Sequence, residues 1–331
     1  MQSKYINNLF LLVSILVFAC QNDEKSQEAA QTEMLAASGK PKLVKALDGT
    51  PLAPIILSTE TKELYEKKLV SAIEAYHENP IDINNIIWYG RRKAYLGYYW
   101  LAIKIYSEGI NLYPDSSQLY RHRGHRYITV REFDQAIEDF EVAALLCEKE
   151  ENFIEPDGLP NKLGVPLSNN KFNIYYHLGL AYYLKGDFYK ALEAYRKCME
   201  FSNNDDLLIA TSDWLYMTYI RLGLEAEALS VLEKINSEIE VVENDAYLKR
   251  LLMYKGLVEP ETLLNNSASE DNTLALVTQG YGVGNWYLQK GDTTKALEIF
   301  QSLVAKNYWS AFGHIAAEAE LLLLMPAETN S

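Results

Sequence analysis

Positive charge is scarce in this sequence: 31 Lys and Arg stand against 45 Asp and Glu, a formal net charge of −14. A surface of that sign repels polyanions, so general affinity for DNA or anionic lipid is excluded and nucleic acid is not an expected partner. Long apolar runs are lacking too, the stretch from Leu9 to Phe18 being shorter than the roughly 18 residues a spanning helix needs. Catalytic signatures are missing. No Gly-x-Ser-x-Gly elbow occurs, no glutamate lies between His122 and His125 in the manner of a zincin, and GYGVGNW (Gly280 to Trp286) lacks the preceding strand of a phosphate loop. No enzyme activity, metal or cofactor is expected. Cysteine is rare, with three residues, and Cys147 and Cys198 read as free core thiols, a disulfide between them being the alternative. What is present is a chain of 331 residues, 48% hydrophobic. That is too long for one typical core and too apolar for disorder, so an elongated array or two domains is expected.

The amino end, MQSKYINNLFLLVSILVFAC, has a short head with Lys4, an apolar run and a small residue before Cys20. Residues 1–19 therefore read as a signal peptide. Ala19 and Val17 ahead of Cys20 resemble the lipobox of bacterial lipoproteins. The resemblance implies cleavage before Cys20, a diacylglycerol thioether on its sulfur and a further acyl chain, such as palmitate, on the new amino terminus. Several acyl chains anchor stably where one would not. Gln21 stands where an aspartate would, by that family's sorting rule, favour the inner membrane, so the outer membrane is expected. The NDEK that follows is similar to export signals of surface lipoproteins in Bacteroidetes-type bacteria, which leaves the periplasmic and surface faces both open. Residues 20–45, the lipidated cysteine and a stretch rich in Gln, Glu, Ser and Ala, read as a flexible tether.

Beyond the tether the chain repeats itself. Gly90 and Gly124, Tyr99 and Phe133, Ala102 and Ala136, Ile103 and Ile137, and Tyr106 and Phe140 are each thirty-four residues apart. Gly179, Tyr182, Gly186, Phe188, Ala191 and Tyr195 take the same relative places, as do Tyr219, Gly223 and Ala228, and then Gly284, Tyr287, Gly291, Ala296 and Phe300. The pattern resembles the tetratricopeptide repeat, which implies an all-α solenoid of helix-turn-helix units. Glycines 90, 124, 179 and 284 are expected where two helices approach, and glycines 97, 186, 223 and 291 at the ends of first helices. The alanines lie where helices cross, and the aromatics fill the space between units.

The solenoid is expected over 46–325 with about six units, repeats lying near 83–116, 117–150, 172–205, 209–242 and 277–310. A drifted unit lies between the last two, around Asp245 to Leu257. Thr59 or Thr61 is expected to cap an opening helix, Trp309 to Leu324 to form a terminal capping helix, and 326–331 to be a tail. A long insertion, 151–170, is expected to lie on the solenoid through Ile154, Leu159, Val165 and Leu167, whether as a lid or as a plain surface loop.

Charge is segregated. From Asn84 to Arg131 there are eight Lys and Arg against Glu108 and Asp115, a local balance of +6 that leaves −20 elsewhere. In the family resembled, first helices line a concave groove, which puts Arg91, Tyr95, Arg121 and His125 on it. Arg92, Arg123 and Arg126 fall at inward places where small or apolar residues are usual. Two readings stand. Either the guanidinium forks grip a partner's carboxylate or phosphate, or they pair internally with Glu138, Asp139, Glu155 and Asp157. Arg92, Arg126, Glu155 and Asp157 would then support the groove from behind. The expected function is a non-catalytic envelope scaffold or adaptor, membrane-anchored through lipid, holding an acidic or C-terminal segment of an envelope protein. The alternative is an accessory lipoprotein that binds a small anionic nutrient or glycan for uptake.

Overall fold

Six helices open on the same device. Ser58, Asp82, Asn169, Asp187, Asn204 and Asp292 each accept, through a side-chain oxygen, the backbone N–H three residues on, which satisfies one donor left orphaned by the first turn and contributes about 1 kcal/mol apiece. The first of these corrects an expectation: Ser58, not Thr59 or Thr61, is the last residue in extended conformation, and its hydroxyl lies 3.1 Å from the Thr61 nitrogen.

The computed structural model describes residues 42–265 and 273–324. The expected signal peptide, Cys20, the tether as far as residue 41 and the tail 326–331 lie outside the described residues. The described residues form fourteen helices: α1 (Thr59–Glu78), α2 (Ile83–Tyr95), α3 (Tyr99–Leu112), α4 (Ser117–Thr129), α5 (Phe133–Cys147), α6 (Asn170–Lys185), α7 (Phe188–Glu200), α8 (Asp205–Arg221), α9 (Glu225–Leu232), α10 (Asp245–Tyr254), α11 (Pro260–Asn265), α12 (Thr273–Gln289), α13 (Thr293–Val304) and α14 (Phe312–Leu324). From α4 on they form a solenoid of helix pairs, α4/α5 through α12/α13, with α10/α11 as the drifted unit. None of them is long and apolar enough to cross a membrane.

Each pair closes on the residues that repeat. Alanines 102, 136, 191, 228 and 296 are all fully buried, and Tyr106, Phe140, Tyr195 and Phe300 are at most 1% exposed. A Cβ on Gly179 would sit 2.7 Å from the Tyr195 ring, and one on Gly284 would sit 2.4 Å from Phe300. Glycine is what allows the aromatic ring of the second helix to lie against the backbone of the first. First helices end in a left-handed residue followed by a backbone bond five residues back, as in Asp187 N–H to Tyr182 O and Asp292 N–H to Tyr287 O. Gly97, Gly186, Gly223, Gly256 and Gly291 take that conformation at the ends of five first helices; after α4 it is Arg131, at φ 68°, the one non-glycine residue with positive φ among the described residues.

The chain divides within α3 into two compact units. The first, centred on α1 and α2, packs around Leu69, Ile73, Ile86 and Ala94, each at most 2% exposed. Asn85 ties its two helices by donating to the Ala75 carbonyl at 2.8 Å. The second unit contains the 43–56 segment and everything from Tyr106 on. Its core is tyrosine-rich, and at its centre Arg250 and Asp213, both wholly buried, pair at 2.8 Å beneath Trp214. Cys147 and Cys198 are buried free thiols. Helix α14 packs on α12 and α13, as a terminal cap does, but it also reaches α6.

The insertion lies on the second unit by polar ties rather than apolar ones. Glu155 reaches Arg121, Asn161 donates to Glu243 at 2.6 Å, and Ile154 bridges Asn169 in antiparallel fashion. Ile154, Leu159 and Val165, expected as its apolar feet, are instead 50%, 55% and 54% exposed.

Candidate functional site

The basic stretch is carried by two first helices. On α2, Trp88, Arg91, Arg92 and Tyr95 are spaced by three and four residues, which on an α-helix sets them on one side. The Arg91 and Arg92 guanidinium carbons lie 4.5 and 4.6 Å from the centroid of the Trp88 ring. Arg92 also lies 5.6 Å from Tyr95, whose ring meets Tyr65 of α1 at 5.8 Å. Beside this cluster runs a groove of about 260 Å³ lined by Lys68, Ser71, Ala72, Ala75, Asn85, Trp88 and Arg92. Burial lowers the pKa of Arg92; Tyr95 opposes that and the adjacent Arg91 cation adds to it. A guanidinium resting on an indole ring is attracted by the ring's quadrupole and keeps its planar fork of donors, which matches a carboxylate or phosphate.

On α4 the cations turn inward. Arg121 is 8% exposed and its Nη2 lies 2.7 Å from Glu155 of the insertion, itself 6% exposed. Glu155 also accepts from Asn173 at 2.8 Å. Arg123 grips Asp139 of α5 with both forks, at 2.8 and 2.7 Å, and donates to Ser107 at 3.0 Å. Burial raises the Asp139 carboxyl, and the hydrogen bonds from Arg123 hold it down. Asp157 adds negative potential at Glu243, whose carboxyl is raised first by burial. Arg126 lies close enough to His125 and His177 to help keep both imidazoles neutral.

The residues expected on one groove therefore have different surroundings. Arg91, Arg92 and Tyr95 gather around Trp88, whereas Arg121 and His125 are engaged by the chain itself. The His125 ring packs, tilted, against His177 at 4.5 Å and against Phe312 of α14 at 5.4 Å. The difference has a physical origin: the insertion delivers a carboxylate to Arg121, and α14 lies over His125. Neither approach is visible in a repeat alignment.

Sequence reasoning missed four residues that organise these surfaces. Trp88, one turn ahead of Arg91 and Arg92, was legible from helical spacing. Arg131 was legible as the break in the glycine series, thirty-four residues after Gly97. Glu318 and Glu320 gave no signal, since their partners are 187 and 99 residues away.

Family models described as tetratricopeptide repeat match residues 172–205 and 280–307, which are the α6/α7 and α12/α13 pairs. Those two helix pairs match the tetratricopeptide repeat. Curated relatives include the BBSome complex member BBS4 of Bos taurus, 29% identical over 46% of this chain and 25% of the relative. Another is the small glutamine-rich tetratricopeptide repeat-containing protein 2 of Saccharomyces cerevisiae, 28% identical over 32% of this chain and 25% of the relative. The chain thus spans about a quarter of each of these relatives. Among solved structures, YrrB, described as a tetratricopeptide protein with an unusual peptide-binding site, matches with a TM-score of 0.40 at 17% identity, covering 75% of this chain and 95% of that one. MamA matches with a TM-score of 0.40 at 20% identity, covering 54% and 92%. The Trp88 cluster, on α2, lies outside the matched residues.

Proposed function

We propose that this tetratricopeptide chain is a non-catalytic scaffold or adaptor whose α1/α2 surface docks an acidic segment of another protein. The observation that carries the reading is the stacking of Arg91 and Arg92 on Trp88 beside the groove floored by Ala72 and Ala75. An indole under a guanidinium fixes the plane of the fork, so less side-chain freedom is lost when a carboxylate is bound in bidentate fashion. Tyr95 and Tyr65 add contact area that can desolvate the pair. The name of one relative makes it a member of a multiprotein complex, in keeping with an assembly role. In this reading the chain works in the cell envelope, held by lipid on Cys20, with the outer membrane as its station.

A small anionic nutrient or glycan beneath the insertion is less well supported, because Arg121 already holds the Glu155 carboxylate at 2.7 Å.

The test is photo-crosslinking in intact cells from a photoreactive amino acid in place of Tyr65. Arg91→Ala with Arg92→Ala is expected to remove at least nine-tenths of the crosslinked partner without shifting the melting temperature. Crosslinks of undiminished yield would sink the docking site. For the anchor, Cys20→Ser is expected to move the protein out of the membrane fraction, and its retention there would refute lipidation.

A further inference from the structure

Helix α14 is more than an end cap. Its first half is buried all round, from Gly313 to Glu318 with Glu320 beyond; besides packing on the neighbouring α12 and α13, it is tied by ion pairs to Arg131, in the turn after α4, and to Arg221 of α8, both far from it in sequence. The Glu318 carboxylate receives Arg131 at 2.5 and 3.1 Å, His314 at 3.1 Å and the Leu47 N–H at 3.2 Å. Two residues on, Glu320 receives Arg221 at 2.6 Å and the Tyr281 hydroxyl at 3.2 Å. Arg131 also donates to the Trp309 carbonyl at 2.8 Å, gripping the approach to the helix.

Arg131 bears a cost to do so. It stands in the left-handed conformation at φ 68° where five other first helices end in glycine. A strained backbone that places a guanidinium on a distant carboxylate marks a position whose side chain has work beyond the turn. The seat is also imperfectly satisfied: Glu320 Oε2 and His314 Nδ1 are buried with no hydrogen-bond partner. Buried ion pairs give register more than stability, and contacts that exchange are more polar than permanent ones.

We infer that α14 is a displaceable resident ligand of the second unit, and that what displaces it is a partner helix with two carboxylates two residues apart. The seat also specifies small residues ahead of those acids. A Cβ at Gly313 would come within 2.5 Å of the Val277 carbonyl, and Ala316 and Ala317 are at most 1% exposed. The displacing helix therefore carries Gly or Ala in its first turns and Glu-x-Glu after them. This surface is separate from the Trp88 cluster, so either can fail without the other.

Two readouts on the full chain test it. In hydrogen exchange, α14 amides are expected to open at least a hundredfold faster than those of α12. Arg131→Gly, which supplies the residue that ends five other first helices, is expected to speed α14 a further tenfold with α12 unchanged. In fluorescence anisotropy, a labelled peptide of residues 309–324 is expected to bind the Glu318→Gln, Glu320→Gln chain at least tenfold more tightly than the unaltered chain. The same peptide bearing both Gln substitutions should not bind. Exchange of α14 in step with α12, unaffected by Arg131→Gly, would overturn the inference and make α14 a fixed cap. Should the double Gln chain lose its helical circular dichroism, the exchange of Arg131→Gly decides alone.

Discussion

Replacing His177 with phenylalanine should change how the stability of the second unit depends on pH, and by a predictable amount. His177 is 6% exposed, stacked on Phe140 and edge-on to Tyr176 and Phe312, with Nδ1 2.5 Å from the Asn173 carbonyl. Burial is the largest influence on it, and the Arg121 cation adds to it. Together they push the imidazole down to about 3, although the Asn173 carbonyl acts in the other direction. In the unfolded chain the same group titrates near 6.5. As pH falls below 6.5 the unfolded state takes up a proton that the folded state refuses, so stability present above that pH is lost toward 3. At about 1.4 kcal/mol per unit, the loss between pH 7.5 and pH 5 is about 2 kcal/mol.

The raw curve of the unaltered protein will not display this cleanly. Burial pushes Asp213 up to about 7 even beside Arg250, and a carboxyl raised in the folded state gains stability as pH falls, opposing the histidine. The difference between His177→Phe and the unaltered chain isolates the imidazole. Urea unfolding followed by circular dichroism should show the variant gaining about 2 kcal/mol on the parent between pH 7.5 and pH 5. An equal gap at the two pH values would refute the burial argument. His125, held well below its ordinary range first by burial and then by Arg126, should give a similar crossing when replaced in turn.

Arg123→Ala leaves the Asp139 carboxylate, 4% exposed, without its fork, and should cost about 3 to 5 kcal/mol in urea unfolding; a loss under 1 kcal/mol would mean Asp139 finds water instead. Gly179→Ala drives a methyl to within 2.7 Å of Tyr195 and should cost about 1 to 3 kcal/mol, whereas Gly186→Ala, with open space but φ 82°, should cost about 1 kcal/mol. Cys147 and Cys198, raised by burial to about 11 and about 12, should resist iodoacetamide at pH 8 and react fully in 6 M guanidinium, mass spectrometry distinguishing the two.

The repeat frame was legible because it is local. Alanine at a helix crossing, glycine under an aromatic ring and glycine at a helix end each answer to residues within one unit, so a period of thirty-four exposes them together. Ser58 was missed in favour of its threonine neighbours because a capping residue is defined by where the backbone turns, and boundaries are the least local part of that pattern. The site was half legible for the same reason. Trp88, Arg91, Arg92 and Tyr95 share one helix, and their gathering follows from helical spacing alone. Arg121 is answered by Glu155 from an insertion that no repeat predicts. Arg131 announced itself as an arginine in a glycine's place, yet nothing in sequence says that its answer lies at Glu318.

The segment before α1 gives this arrangement a mechanical meaning. Ala53 accepts the Trp309 indole N–H at 2.7 Å, and the Leu47 N–H meets Glu318. Within the second unit, the stretch through which any amino-terminal pull would arrive is clasped to the last helix. Load entering near residue 43 is therefore shared at once between the covalent chain, the approach to α14 at Trp309 and α14 itself.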